Sequence, residues 1–173
     1  MVIRHKGFTS PAELGEFMAR LGPSDAFYSS AYFERPYEPD MKAKGWMGAD
    51  LIFDIDADHI PTACKRQHDL WSCRACGASG RGEAPDACPK CGSRELVELK
   101  WICGRCISAA REELLKLIEV LDDDLGLCPA GAWRASFSGH RGFHLQVSSG
   151  SVRELGQDER GEIVDYLTGV GLE

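Results

Sequence analysis

Asp54, Asp56 and Asp58 take every second position in the stretch FDIDADH, residues 53–59. Just before them Leu51, Phe53 and Ile55 alternate with Ile52. The stretch therefore reads as a strand, with its apolar set on one face and Asp54 and Asp56 on the other. Same-face neighbours on a strand stand roughly 6.5–7 Å apart at their bases. Carboxylates rising from there can converge on one or two divalent cations, the arrangement that activates a hydroxyl and steadies a phosphate leaving group. Without a cation such close charges repel, and one carboxyl would hold a proton. Asp58 falls just past the pair and is left outside it. A solvated acidic strand end is the plainer alternative.

A second constellation lies in WRASFSGHRGFHLQV, residues 133–147. Trp133, Ala135 and Phe137 alternate on one side of the turn, and Phe143, Leu145 and Val147 on the other, so the segment predicts a β-hairpin. Its turn, SGHRG, supplies two glycines. The opposite face presents Ser138, Arg141 and His144. A hydroxyl, a guanidinium and an imidazole around a Gly-rich turn suit a triphosphate, which Arg binds bidentately while turn N–H groups add dipoles. Taken singly, His144 would read as a structural histidine.

The third constellation is sulfur. Eight cysteines in a chain with no secretory signature argue for metal before disulfides. In CRACG (73–77) and CPKCG (88–92) each Cys-x-x-Cys is followed by Gly, the form of a zinc knuckle. Cys73, Cys76, Cys88 and Cys91 are thus predicted to form a four-cysteine ribbon. Cys64, His68, Cys103 and Cys106 flank it and predict a second site of three thiolates and one imidazole. Pairing in chain order would instead give 64/68/73/76 and 88/91/103/106. The match between the two knuckles, with Trp71 and Trp101 bracketing the insert, favours nesting. Four protein ligands per site make both zinc ions structural. Cys128 is left over as a small buried hydrophobe.

The elements that must position these groups follow from periodicity. Residues 10–23 predict a helix capped by Ser10 and Glu13 and stopped by Gly22-Pro23, with Leu14, Phe17, Met18 and Leu21 facing a core. Residues 107–126 predict a second helix with Ala110, Leu114, Leu117, Ile118 and Leu121 inward. A third fits 152–167, with Leu155, Ile163, Val164 and Leu167 as buried positions. The net charge is -7, and residues 107–173 hold twelve acidic against six basic side chains. No basic stripe marks a nucleic-acid surface. No run of about 18 apolar residues marks a membrane span and no apolar signal core opens the chain, so a soluble, non-secreted protein with no membrane partner is expected.

In chain order, YSSAYF (28–33), GADLIFDIDADH (48–59), the Cys64/His68/Cys103/Cys106 set, SFSGHRGFHLQV (136–147) and RGEIVDYL (160–167) resemble the catalytic small subunit of the archaeal and eukaryotic type of DNA primase. The resemblance implies an α/β (α+β) fold, a mixed-sheet primase-type core flanked by helices. Residues 1–63 and 107–173 would form that core, with 64–106 as a zinc-binding insertion. The four-cysteine ribbon at 71–101 looks like an addition within the family's usual single zinc motif. By resemblance, Asp54 and Asp56 are the catalytic pair that holds Mg²⁺ or Mn²⁺. Ser138, Gly139, Arg141 and His144 hold the incoming triphosphate, and His140 stands where many members have a second arginine.

The implied activity is template-directed synthesis of a short RNA or DNA primer from nucleoside triphosphates, a DNA-directed nucleotidyl transfer that serves DNA replication. The implied partners are a single-stranded DNA template and the primase large subunit, in the cytoplasm of an archaeal-type cell. Family members are much longer, so the chain is expected to be shortened at both ends. Their upstream basic and aromatic motif and downstream third aspartate have no counterpart placed here. Two other readings stay open: a non-catalytic, zinc-stabilised fragment that binds nucleic acid or a partner, and a template-independent nucleotidyltransferase.

Overall fold

The computed structural model describes residues 2–171. The chain runs α1 (Pro11–Leu21), β1 (Ala31–Phe33), β2 (Trp46–Ala49), β3 (Leu51–Asp56), α2 (Lys65–His68), β4 (Leu70–Cys73), β5 (Ser79–Arg81) and β6 (Leu96–Leu99). It continues through α3 (Gly104–Glu119), a π-helical turn (Val120–Asp124), β7 (Trp133–Phe137), β8 (Gly142–Val147), α4 (Gly150–Glu154) and α5 (Gln157–Thr168). The strands form three small sheets ordered β1-β2, β3-β8-β7 and β5-β4-β6. This is a mixed α/β fold with an inserted cysteine-rich ribbon. Among the described residues no helix is long and apolar enough to cross a membrane.

Two compact units divide the chain. The first comprises residues 2–52, Leu127–Trp133 and 146–171. Its α1 has the ends expected of it: Ser10 Oγ accepts from the Glu13 N–H at 3.2 Å, and Gly22 closes the helix in the left-handed region at φ 56°. Glu13 turns back to Thr9, accepting from its N–H and hydroxyl, both at 2.9 Å. The expectation that α1 buries an apolar face is corrected, since none of its residues is buried and Leu14 and Leu21 are exposed. The predicted helix at 152–167 is also corrected. Leu155 leaves helical geometry at ψ 127° and Gly156 is extended, so the segment splits into α4 and α5. Ile163 is buried, but Val164 is exposed.

The centre of this unit is a carboxylate that the motifs did not flag. Asp50, only 4% exposed, accepts from Ser148 Oγ at 2.7 Å, Gln146 Nε2 at 2.8 Å, Tyr32 Oη at 3.1 Å and Arg153 Nε at 3.2 Å. The Arg153 guanidinium lies 4.4 Å from the centre of the Tyr32 ring. Burial opposes ionisation of Asp50, but hydrogen bonds from Ser148, Gln146, Arg153 and Tyr32 outweigh it and hold the carboxyl below its ordinary value. Arg160, the first residue of RGEIVDYL, donates to the carbonyls of Ala49 at 2.7 Å, Val152 at 2.8 Å and Leu155 at 3.0 Å. That motif therefore staples backbone to backbone.

The second unit comprises residues Phe53–Gly126 and Arg134–Leu145, and it contains the whole 64–106 segment. Its core is built around Ala57, Cys64, Cys106 and Ala110, packed by Ile55, Ile60, Ile102, Ile107 and Phe143. The second predicted helix begins at Gly104 and ends at Glu119, passing into the π turn rather than running to residue 126 as α-helix. In the ribbon, β4 pairs antiparallel with β5 and β6, with Trp71 opposite Gly80 and Glu98. A Cβ on Gly80 would come within 2.6 Å of the Trp71 ring, so the indole packs only because that residue is glycine.

Candidate metal and nucleotide site

Two cysteine-rich groups come together as the nested spacing predicts: Cys64, His68, Cys103 and Cys106, and Cys73, Cys76, Cys88 and Cys91. In each, one ligand atom per residue lies within 4.8 Å of all the others. Zn–S bonds of about 2.3 Å at tetrahedral angles set two sulfurs about 3.8 Å apart. The observed sulfur separations are 3.7 Å for Cys73–Cys91, 3.6 Å for Cys76–Cys88, 3.5 Å for Cys64–Cys106 and 3.7 Å for Cys103–Cys106. A disulfide needs about 2.05 Å. These donor sets fit tetrahedral zinc.

The surroundings shift Cys64, Cys88 and Cys103 toward thiolate, the form that binds metal, and Cys91 and Cys106 away from it. The backbone N–H groups of Lys90 and Cys91 draw the Cys88 thiol down to about 7. A hydrogen bond with Thr62 and the nearby His68 bring Cys64 down to about 6 against the effect of its burial. His68 turns Nε2 toward Cys106 Sγ at 3.4 Å and Nδ1 toward Asp69 Oδ1 at 2.7 Å. Asp69, itself buried, also accepts from the Trp101 N–H at 3.1 Å. A carboxylate behind a histidine fixes the ring's tautomer and orientation for the metal. Motif spacing did not identify Asp69, although it directly follows His68.

The acidic strand and the hairpin turn meet in the second unit. β3 carries Asp54 and Asp56, and the Asp56 carbonyl accepts from the His59 N–H at 3.1 Å to make the turn that holds Asp58. The four residues 138–141 join the neighbouring strands β7 and β8, which must therefore run antiparallel. The Arg141 carbonyl accepts from the Ala57 N–H at 2.9 Å. A Cβ on Gly142 would overlap the Ile55 carbonyl oxygen, so this approach of two backbones requires glycine there. All five residues of β7 are exposed, so its expected apolar set, Trp133, Ala135 and Phe137, is not covered as a core face.

This register sets the charges opposite one another. Arg141 Nη2 lies 2.9 Å from Asp56 Oδ2, and Arg141 Nη1 lies 3.5 Å from Asp58 Oδ2. His144 Nε2 lies 3.2 Å from Asp54 Oδ1. Ser138 Oγ accepts from the N–H groups of His140, Arg141 and Gly142 at 3.4, 3.3 and 3.1 Å. Three N–H groups converging on one hydroxyl oxygen fix the shape of the turn. Ser138, Gly139, His140, Arg141 and His144 are all exposed, so the turn is open to a ligand.

Asp58, omitted from the expected pair, belongs to this site. With Asp56 and His59 it forms a third group of oxygen and nitrogen donors within 4.8 Å of one another. Its side chain is only 12% exposed, against 60% for Asp54, and its Oδ1 is buried with no hydrogen-bond partner among the described residues. The carboxylates of Asp54 and Asp56 are the hard oxygen donors that suit a divalent cation, and Asp58 stands beside them. The continuing period-two spacing of aspartates was the signal that could have included it.

A mixed α/β protein with two zinc-type clusters and facing acidic and phosphate-type basic groups is the class that fold and site define. The model of the family described as DNA primase small subunit matches residues 86–172. The chain is 42% identical over 172 residues to the DNA primase small subunit PriS of Pyrobaculum aerophilum, covering 99% of this chain and 44% of that protein. It is also 42% identical over 172 residues to the protein of the same name from Saccharolobus islandicus, covering 98% of this chain and 48% of the relative. The chain belongs to the DNA primase small-subunit family. It spans about half the length of the curated relatives it matches.

Proposed function

We propose that this chain carries the nucleotidyl-transfer site of a primase, which joins nucleoside triphosphates into a short RNA or DNA primer on single-stranded DNA. The observation that carries this reading is the pairing of Asp54 with His144 and of Asp56 with Arg141. It puts candidate metal ligands and candidate triphosphate ligands within one site, in a family whose relatives are named for priming. Asp54 and Asp56 hold Mg²⁺ or Mn²⁺. Bound there, the cation lowers the pKa of the attacking 3′-hydroxyl and offsets charge developing on the phosphates.

The chain's own residues do the rest by positioning. Arg141 and His144 turn from the carboxylates to the triphosphate. Ser138 and Gly139 shape the hairpin turn, and His140 adds a further donor at its rim. Residues 64–106 act as a zinc-stabilised insertion beside a core of 1–63 and 107–173. The primase large subunit is the expected protein partner, and the cytoplasm is where the pair works.

The test is calorimetric titration of a nucleoside triphosphate with Mn²⁺ into the zinc-loaded chain and into Asp54→Ala/Asp56→Ala. Binding that requires Mn²⁺ and disappears in the variant supports the reading. Equal binding by both proteins, or none by either, rejects it for this chain.

A further inference from the structure

Arg141 is tied to the β3 turn at three points. Its carbonyl accepts from the Ala57 N–H at 2.9 Å, and its guanidinium reaches the carboxylates on either side, Asp56 at 2.9 Å and Asp58 at 3.5 Å. The two carboxylates differ. Both side chains are little exposed, but Asp58 is also fixed in place by Lys65 Nζ, which donates to its carbonyl at 2.8 Å. Only one of its oxygens is engaged; Oδ1 is buried and has no donor among the described residues. Buried polar atoms are nearly always hydrogen-bonded, so a half-satisfied buried carboxylate points to a contact made in another state of the site.

A divalent cation and a guanidinium compete for the same Asp56 oxygens. Once a cation takes Asp56, Asp58 is the one carboxylate in the 56–58 turn still within reach of Arg141, and its free oxygen can complete a two-point grip on the guanidinium. We propose that Asp58 is a positioning residue: it retains Arg141 at the site when the cation displaces it from Asp56, and so aims the guanidinium at the triphosphate. In this scheme Arg141 holds the carboxylates together before loading. Cation binding exchanges its short contact for one with substrate, which makes cation and nucleotide binding mutually reinforcing. The proposal rests on the reading of Arg141 as a triphosphate ligand.

The experiment uses the zinc-loaded chain, Asp58→Asn, Arg141→Ala and the double variant. Mn²⁺ binding is measured alone by electron paramagnetic resonance, and nucleoside triphosphate binding is measured at saturating Mn²⁺. Asp58→Asn is expected to weaken nucleotide binding about tenfold, a step of about 1.4 kcal/mol, while leaving the affinity for Mn²⁺ alone within about twofold. In the Arg141→Ala background the same change is expected to do nothing further, because Asp58 acts through the missing guanidinium. Arg141→Ala is expected to tighten Mn²⁺ binding severalfold when no nucleotide is present.

Weaker binding of Mn²⁺ alone in Asp58→Asn would make Asp58 a metal ligand and overturn the proposal. Additive losses in the double variant would overturn it as well. If Arg141→Ala binds nucleotide like the parent, the triphosphate reading itself fails. If Arg141→Ala loses nucleotide while Asp58→Asn binds like the parent, only the positioning role fails. Should Asp58→Asn not fold, the Mn²⁺ titration of Arg141→Ala decides, and unchanged affinity rejects the exchange.

Discussion

His144 Nε2 stands 3.2 Å from Asp54 Oδ1, with both side chains at least half exposed. An exposed pair of this kind contributes at most about 1 kcal/mol to folding. Replacing His144 by Ala should therefore leave thermal unfolding almost unchanged while weakening nucleotide binding about tenfold in the presence of Mn²⁺. Parallel melting and calorimetry separate the two effects, and a large loss of stability would assign His144 a structural role.

Gly142 is under the opposite constraint. Any side chain there collides with the Ile55 carbonyl on the strand that carries Asp54 and Asp56. Gly142→Ala should destabilise the chain by about 3 kcal/mol, at the upper end for overpacked sites, because the obstacle is backbone and cannot rotate away. Urea denaturation measures it. A loss below about 0.5 kcal/mol would mean the strands separate easily.

The two candidate zinc sites should differ in what they support. Cys64 and Cys106 belong to the hydrophobic core of their unit, whereas Cys91 is exposed on the ribbon. Cys106→Ser should remove one zinc and lower the melting temperature by 10 °C or more, about 3 kcal/mol or greater for a chain of this size. Cys91→Ser should remove one zinc with a much smaller shift. Metal analysis alongside melting checks both.

Asp69 meets the candidate zinc site through His68. Asp69→Ala should lower zinc affinity at the Cys64/His68/Cys103/Cys106 site about 10- to 100-fold without removing a ligand. Competition with a chelating dye reads the change, and it should leave the four-cysteine site untouched.

Asp50 carries a pH prediction. Its carboxyl is held below the ordinary value in the folded chain, so its contribution to stability is full above the unfolded-state pKa and is lost as pH falls through the folded one. Asp50→Asn should destabilise the chain by about 2 kcal/mol at pH 7, and this difference should shrink on acidification below the ordinary carboxyl range. Urea midpoints of both proteins across that range test it. A difference that does not vary with pH would mean the carboxylate's charge is not used.

What the sequence determined by itself is local. The Cys-x-x-Cys-Gly knuckles identified which cysteines of the ribbon cluster, because a tight turn needs only a few residues to aim two thiolates. Ser10 and Gly22 marked the ends of α1 for the same reason, since capping is settled by backbone angles at one or two positions. Alternation through residues 51–56 gave Asp54 and Asp56 a common face because a strand's period is two. The tertiary structure alone decided what those faces meet. Arg141 and Asp58 lie 83 residues apart, and Asp50 and Arg153 lie 103 apart; no spacing rule reaches that far. The closeness of Arg141 to both carboxylates depends on the register of β3 against β8, which Gly142 permits. The burial of Asp58, the four-donor grip on Asp50 and the break at Gly156 likewise come from packing. Periodicity names which side chains share a face; only the folded chain supplies what stands opposite.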